Sequence, residues 1–252
     1  MGLTNFQARI LSKGEERFKL YQRSHKAHFG VPASGRILDF GCGAGGFLLA
    51  AHQNGLEAWG IDTESARQSQ YLSIADSSFP ELRDRFHRYD GRLMPFPSNH
   101  FNAIHSWFVF EHVTDPQCSI REIVRTLAPG GTLIIHADDV RNNWDGHAAA
   151  VWPPYLPREF AAAYLDGLGK AEQSEFITTC VVYISAPVLV DILTTFGMEI
   201  LYVNAAPERP AIPEALYVTS DAEARALGRK MRDSQIPSPA ENLNIVARKP
   251  LK

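Results

Sequence analysis

The sequence predicts an α/β protein built on a doubly wound, mostly parallel sheet of seven strands. Short runs rich in β-branched and aromatic residues alternate with helix-like segments over residues 36–138, the order in which strands and covering helices assemble a parallel sheet. The first of these runs, Ile37-Leu38-Asp39-Phe40, ends close to an acid and passes directly into Gly41-Cys42-Gly43-Ala44-Gly45-Gly46. Such a turn permits positive φ and close approach of a ligand to the main chain at the start of a helix. With 252 residues, 45% of them hydrophobic, the chain can fill one core, and a second full domain is not expected.

Taken in order, Asn5–Phe29 carries Phe6, Ile10, Phe18 and Tyr21 among many charges, which predicts an amphipathic helix interrupted near Gly14. Residues 1–35 are therefore expected to form a helical cap over the cleft. Strands follow at Arg36–Phe40, Glu57–Ile61, Phe86–Tyr89, Ala103–Phe108 and Gly131–His136, separated by helical segments Gly46–Asn54, Glu64–Ala75 and Pro116–Leu127. Pro129-Gly130-Gly131 is expected to stop the fourth helix and turn the chain into the next strand. Beyond an insertion at 139–184, the C-terminal part at 185–252 reads as helix Ala186–Phe196, strand Met198–Asn204, helix Asp221–Arg232 and strand Leu243–Arg248.

The glycine turn alone leaves its nucleotide open. Gly41, Gly43 and Gly46 satisfy G-x-G-x-x-G, and Asp62 stands where a dinucleotide fold places its ribose acid. Asp39 separates the readings, since a carboxylate there repels a pyrophosphate and attracts an amine or a sulfonium. Leu38-Asp39-Phe40-Gly41-Cys42-Gly43-Ala44-Gly45 resembles motif I of the class I S-adenosylmethionine-dependent methyltransferases, small-molecule type. Gly60-Ile61-Asp62, Tyr89-Asp90-Gly91 with Leu93-Met94-Pro95-Phe96-Pro97, Phe110-Glu111-His112-Val113-Thr114-Asp115-Pro116 and Leu127-Ala128-Pro129-Gly130-Gly131 resemble that family's later blocks in its order. The resemblance covers about residues 36–138 and implies a Rossmann-like fold, with a last strand running antiparallel in a closing hairpin. It also implies S-adenosylmethionine as cofactor and S-adenosylhomocysteine as product. The implied contacts are Asp39, Gly41, Cys42, Gly43 and Gly45 near the amino-acid end, Asp62 and Thr63 at the ribose, Asp90 and Gly91 at the adenine, and Phe108 after strand four.

Net charge −3 and the lack of a lysine and arginine run argue against nucleic acid and favour a small-molecule acceptor. Cys42, Cys118 and Cys180 suggest neither a disulfide framework nor a zinc site, and point to reducing cytoplasm. No stable membrane insertion is expected. A homodimer is compatible with the sequence, which does not fix the oligomeric state.

Residues 139–184 exceed a simple connection and read as a substrate lid inserted after strand five. Trp144, Trp152, Tyr155 and Arg158 are its candidate acceptor contacts, able to stack on a ring or bond hydroxyls and carboxylates. The alternative is a proline-stiffened cap whose tryptophans pack on the core. Ala205–Thr219, with Pro207, Pro210, Pro213, Arg209 and Tyr217, is a second candidate wall.

The implied chemistry is in-line attack of a substrate heteroatom on the sulfonium methyl, with positioning as the main catalytic device. A hydroxyl must also lose its proton, and histidine suits that task near neutral pH. His147 in the lid and His112 after strand four are the candidate catalytic residues, whereas His105 and His136 lie within strands and read as core-edge groups. Quinone-pathway O-methyltransferases, which the 110–116 segment also resembles, place a metal-binding acid three residues before the Glu of this turn. Here that position is Phe108, so no catalytic metal is expected. The Asp-Gly-His element and the Trp-Pro-Pro-Tyr-Leu-Pro-Arg run resemble bacterial methyltransferases linked to sugars and glycosides, which shifts the acceptor toward a hydroxylated small molecule or glycan. A quinone, a lipid or an amine is the alternative acceptor. A non-catalytic S-adenosylmethionine-binding regulator and a nicotinamide-dependent dehydrogenase are the readings from other classes; the intact cofactor set argues against the first, and Asp39 with the later blocks against the second.

Overall fold

The computed structural model of the chain describes residues 4–182, 184–204, 208–239 and 242–251. Its main sheet has seven strands in the order β3-β2-β1-β4-β5-β9-β8. These are β1 (Arg36–Phe40), β2 (Glu57–Asp62), β3 (Phe86–Arg88), β4 (Phe101–Trp107), β5 (Leu127–Ala137), β8 (Glu199–Asn204) and β9 (Leu243–Arg248). The pairs from β3 across to β5 are parallel, and β9 runs antiparallel to both β5 and β8. The sheet is thus the mostly parallel one the sequence predicts, with the strand order reversing between β1 and β4. That reversal opens a crevice at the carboxyl ends of the strands.

Strand pleating divides the core between two faces. Ile37, Ala58, Ala103 and Ile134 face one way, onto α1 (Asn5–Phe29), α2 (Gly46–Gln53) and α3 (Ser65–Ser78). Leu38, Phe40, Ile104 and Leu133 face the other, onto α4 (Pro116–Thr126) and α7 (Ala186–Thr195).

Two local expectations are corrected. The first helix is not interrupted at Gly14: it runs unbroken from a capping box between Thr4 and Gln7 to Gly30, whose φ is 78°. Gly14 is there for space, because a Cβ at that position would lie 2.1 Å from the carbonyl oxygen of Gly46. Nor does Pro129-Gly130-Gly131 separate α4 from β5. The strand starts at Leu127, opposite Phe101, and the extra residues bulge out before the ladder resumes at Ala103 and Thr132. Lys249 secures the bulge, exchanging backbone bonds with Gly130 and Gly131. Its Nζ donates to the carbonyls of Val124 and Leu127 at the end of α4.

Beyond β5, the hairpin β6 (Trp144–Asp145) and β7 (Ala150–Val151) leads into α5 (Ala161–Leu168) and α6 (Ser174–Cys180). This cap has an apolar core of its own, to which Ile212, Ala215 and Val218 contribute together with Ala224, Leu227 and Met231 of α8 (Asp221–Arg232). Helix α8 can approach α5 because Gly167 and Gly228 meet at the crossing, where a Cβ on either would fall 2.2–2.3 Å from the other helix's backbone. Among the candidate wall residues, Tyr217 is exposed and Pro207 lies outside the described residues.

His136, on β5, packs against Trp107 with ring centroids 4.3 Å apart. Burial, with a smaller contribution from His105, pulls its pKa down to about 3. The unfolded chain therefore binds a proton below pH 6.5 that the folded chain refuses, so stability is full above that pH and falls as pH drops toward 3. From pH 7 to pH 5 this one residue should cost at most about 2 kcal/mol. Urea unfolding of His136→Gln should show a correspondingly smaller acid loss than the parent. An equal loss in both would remove His136 as the cause.

Candidate active site

The glycine turn is pinned to β2. The amides of Gly41 and Cys42 both donate to the Ile61 carbonyl, at 3.0 and 2.9 Å. Gly41 has φ 74°, and a Cβ there would meet Val109 Cγ2 at 2.4 Å, so both conformation and space demand glycine. Gly43, with φ 54°, faces open space. The Cys42 side chain instead turns into the core, close over Gly60, leaving only its backbone toward the cleft. Burial, reinforced by Asp39 and Asp62, pushes its thiol well above the usual range.

Asp62 closes this turn. One carboxylate oxygen accepts from Gly43 N at 2.9 Å and the other from Glu64 N at 3.0 Å. Burial raises its pKa, partly offset by those two amides. Each oxygen retains a lone pair for a ribose hydroxyl. Asp39 is buried behind the turn, 3.4 Å from His105 Nδ1, and His105 stacks on Phe47 with centroids 4.2 Å apart. Asp90 accepts from the amides of Arg92 and Leu93, which hold its carboxyl below the ordinary range, and so shapes the turn in which Gly91 has φ 80°. Thr63 lies against Gly91. Asp62, Thr63, Asp90 and Gly91 are thereby gathered at the ends of two neighbouring strands.

At the end of β4, Phe108 takes φ 54°, an uncommon conformation for a residue with a bulky side chain. It lines a cavity of about 300 Å³ together with Glu111, Asp138, Trp144, His147, Ser238 and Asn242. Glu111 is 2% exposed, and neither of its carboxylate oxygens has a hydrogen-bond partner outside its own residue among the described residues. Burial drives its pKa to about 8, with Asp138 adding to the rise and His147 opposing it. His112 Nδ1 donates to the Cys180 carbonyl at 2.8 Å. His147 sits in the turn of the β6–β7 hairpin, its Nδ1 3.7 Å from Asp145, an ion-pair separation rather than a hydrogen bond. Asp145 raises the His147 pKa against the opposing effect of burial. Burial alone would raise Asp145, but His147 and the Ala148 amide outweigh it and hold that carboxyl low. The two imidazoles lie with centroids 5.0 Å apart, and Phe176 packs against both.

The candidate acceptor contacts separate. Trp144 lines the cavity. Trp152, only 3% exposed, packs edge-on to Tyr164 in the core of the cap. Tyr155 is 55% exposed and does not line the cavity. The Arg158 guanidinium donates to the carbonyls of Ile177, Thr178 and Val181, clamping the end of α6. Of the four, Trp144 alone lines this cavity, while Trp152 lies in the core of the cap, Tyr155 in solvent and Arg158 on the α6 carbonyls. The sequence reading missed Glu111 and Asp145 as site residues, although Glu111-His112 and Asp145-Gly146-His147 stand together in the chain. Ser238 and Asn242 carry no such signal.

Residues 14–203 match a family described as "Methyltransferase domain". The chain belongs to this methyltransferase family. Among curated relatives, it is 32% identical over 105 residues to a demethylmenaquinone methyltransferase of Roseiflexus sp. strain RS-1, covering 40% of this chain and 42% of the relative. It is 33% identical over 100 residues to ajmaline N-methyltransferase of Rauvolfia serpentina, covering 39% and 34%. The chain spans about half or less of the length of the curated relatives it matches. Among solved structures, an S-adenosylmethionine-dependent methyltransferase from Mesorhizobium loti aligns with TM-score 0.57 at 20% identity, over 90% of this methyltransferase and 96% of that chain. The [4+2]-cyclase SpnF aligns with TM-score 0.58 at 21% identity, over 94% and 81%. Likeness at that identity shows the fold, and a cyclase that shares it shows why activity must be argued from the site. No helix among the described residues is long and apolar enough to cross a membrane.

Proposed function

We propose that this methyltransferase moves the methyl group of S-adenosylmethionine to a hydroxyl of a small polar acceptor, a sugar or glycoside being the best fit. The observation that carries this reading is the placement of the polar cavity. Phe108 lines it, and the next residue, Val109, packs against Gly41 of the cofactor turn. Its volume of about 300 Å³ matches a monosaccharide-sized guest better than a long prenylated quinone. Its walls include Glu111, Asp138 and His147. Attack by a neutral hydroxyl releases a proton, and the clustering of Glu111, His112 and His147, two of them imidazoles, supports a proton acceptor beside the cavity.

The name of the Roseiflexus relative makes a quinone the next acceptor class, and that of the Rauvolfia relative an amine. The three cysteines are free, consistent with work in a reducing cytoplasm. Incubation with S-adenosylmethionine and panels of glycosides, phenols, amines and quinols, read as S-adenosylhomocysteine formed, tests the proposal. Turnover with the glycosides is expected, and turnover with amines or quinols alone would overturn it. His147→Ala should keep S-adenosylhomocysteine affinity within about twofold while lowering turnover at least tenfold. Equal turnover would remove His147 from the methyl-transfer step.

A further inference from the structure

The expectation of no metal rested on a ligand missing at Phe108, yet the cap brings a third donor to the turn from elsewhere in the chain. We propose that Glu111, His112 and His147 form a binding site for a divalent first-row transition ion of the Zn²⁺ or Co²⁺ kind, with its remaining coordination positions open to the cavity.

The three ligand atoms lie within 4.8 Å of one another. Donors around an ion with bonds of about 2.0–2.2 Å stand roughly 3–3.5 Å apart, so a contraction of at most about 1.3–1.8 Å, within reach of side-chain rotations, completes the set. The histidines are already oriented for it. His112 spends Nδ1–H on the Cys180 carbonyl, which leaves Nε2 carrying the lone pair. His147 turns Nδ1 toward Asp145, which again leaves Nε2 as the free donor. The carbonyl bonded to His112 is the kind of support that fixes the tautomer and orientation of metal-bound histidines, and Asp145, 3.7 Å behind His147, stands on the side from which a carboxylate gives the same support.

Glu111 is the second, independent observation. A carboxylate 2% exposed with both oxygens lacking a partner, lysine and arginine included, among the described residues is costly to leave ionised. A dication between it and the imidazoles supplies the counter-charge that this buried, unpartnered carboxylate lacks. Two imidazoles and one carboxylate favour a transition ion over Mg²⁺ or Ca²⁺, which prefer all-oxygen shells. Three protein ligands leave positions for water or an acceptor oxygen, as in catalytic rather than structural sites. The inference rests on these side chains and not on the identity of the acceptor.

The test uses the full chain, treated with a chelator, exchanged into clean buffer and titrated calorimetrically with ZnCl₂, with Co²⁺ added separately to record its visible spectrum. One saturable site and a d–d absorption band are expected. Each of Glu111→Gln, His112→Ala and His147→Ala should weaken the ion at least tenfold, while His52→Ala, away from the cavity, should leave binding unchanged. S-adenosylhomocysteine binding is measured in the same samples as a check of folding and of the methyl-transfer reading. No saturable binding up to about 1 mM ion would overturn the site. So would binding that survives the joint His112→Ala and His147→Ala change. Ion binding without S-adenosylhomocysteine binding would instead sink the methyl-transfer reading and leave the metal site standing.

Discussion

Asp62→Ala is expected to weaken S-adenosylhomocysteine binding by about 1.5–3 kcal/mol, roughly 10- to 150-fold. Two effects add in the same direction. The charged acceptor for the ribose hydroxyls is lost, and so are the bonds from Gly43 N and Glu64 N that hold the cofactor turn against β2. The second effect also appears without ligand, as a fall of about 1–2 kcal/mol in unfolding free energy. Comparing the two readouts separates the roles: a loss of stability with unchanged affinity would make Asp62 a turn-holding residue only. Asp62→Asn keeps the size but has one acceptor oxygen for both amides, so its affinity should fall between the other two.

Gly14→Ala should destabilise the protein by about 3 kcal/mol or more, against the ordinary rule for a helix interior. Helix propensity alone predicts a gain of about 1 kcal/mol for this change. The new methyl, however, would stand 2.1 Å from a backbone carbonyl of Gly46, and backbone cannot swing aside as a side chain can. Helix α1 would have to lift off α2, which begins at Gly46 directly after the cofactor turn, so cofactor affinity should fall with stability. Urea unfolding and ligand titration read the two effects. A variant more stable than the parent would show that the helices do not cross in contact at Gly14. Leu20→Ala, on the exposed side of the same helix, should change stability by less than about 0.5 kcal/mol.

Gly14 also illustrates what the sequence could and could not convey. Strand alternation and the cofactor turn are encoded in neighbouring residues, so Ile37 and Leu38 declare opposite faces and Gly41 to Gly46 declare the turn. A glycine required for helix crossing is encoded with its partner 32 positions away (46 − 14), and read locally it looks like a helix break. The same holds for Gly167 and Gly228, and for the cap as a whole, whose core draws on 148–181 and on 212–231. Trp152 and Arg158 carry chemistry suited to an acceptor, and only the fold shows that Trp152 lies in the core of the cap and that Arg158 bonds the α6 carbonyls. Conversely, Phe108 drew attention as a missing ligand, while the His147 that comes to lie beside Glu111 and His112 sits in a hairpin turn whose docking no local pattern announces.

The identity of the cofactor decides what this cleft does. Calorimetric titration of the purified protein with S-adenosylhomocysteine, and separately with oxidised and reduced nicotinamide dinucleotides, is the measurement that tests it. Saturable one-to-one binding of S-adenosylhomocysteine, with no heat from either dinucleotide, is predicted from Asp39 behind the turn and Asp62 across it. Binding of a dinucleotide in place of S-adenosylhomocysteine, or of neither, would contradict the assignment of this cleft.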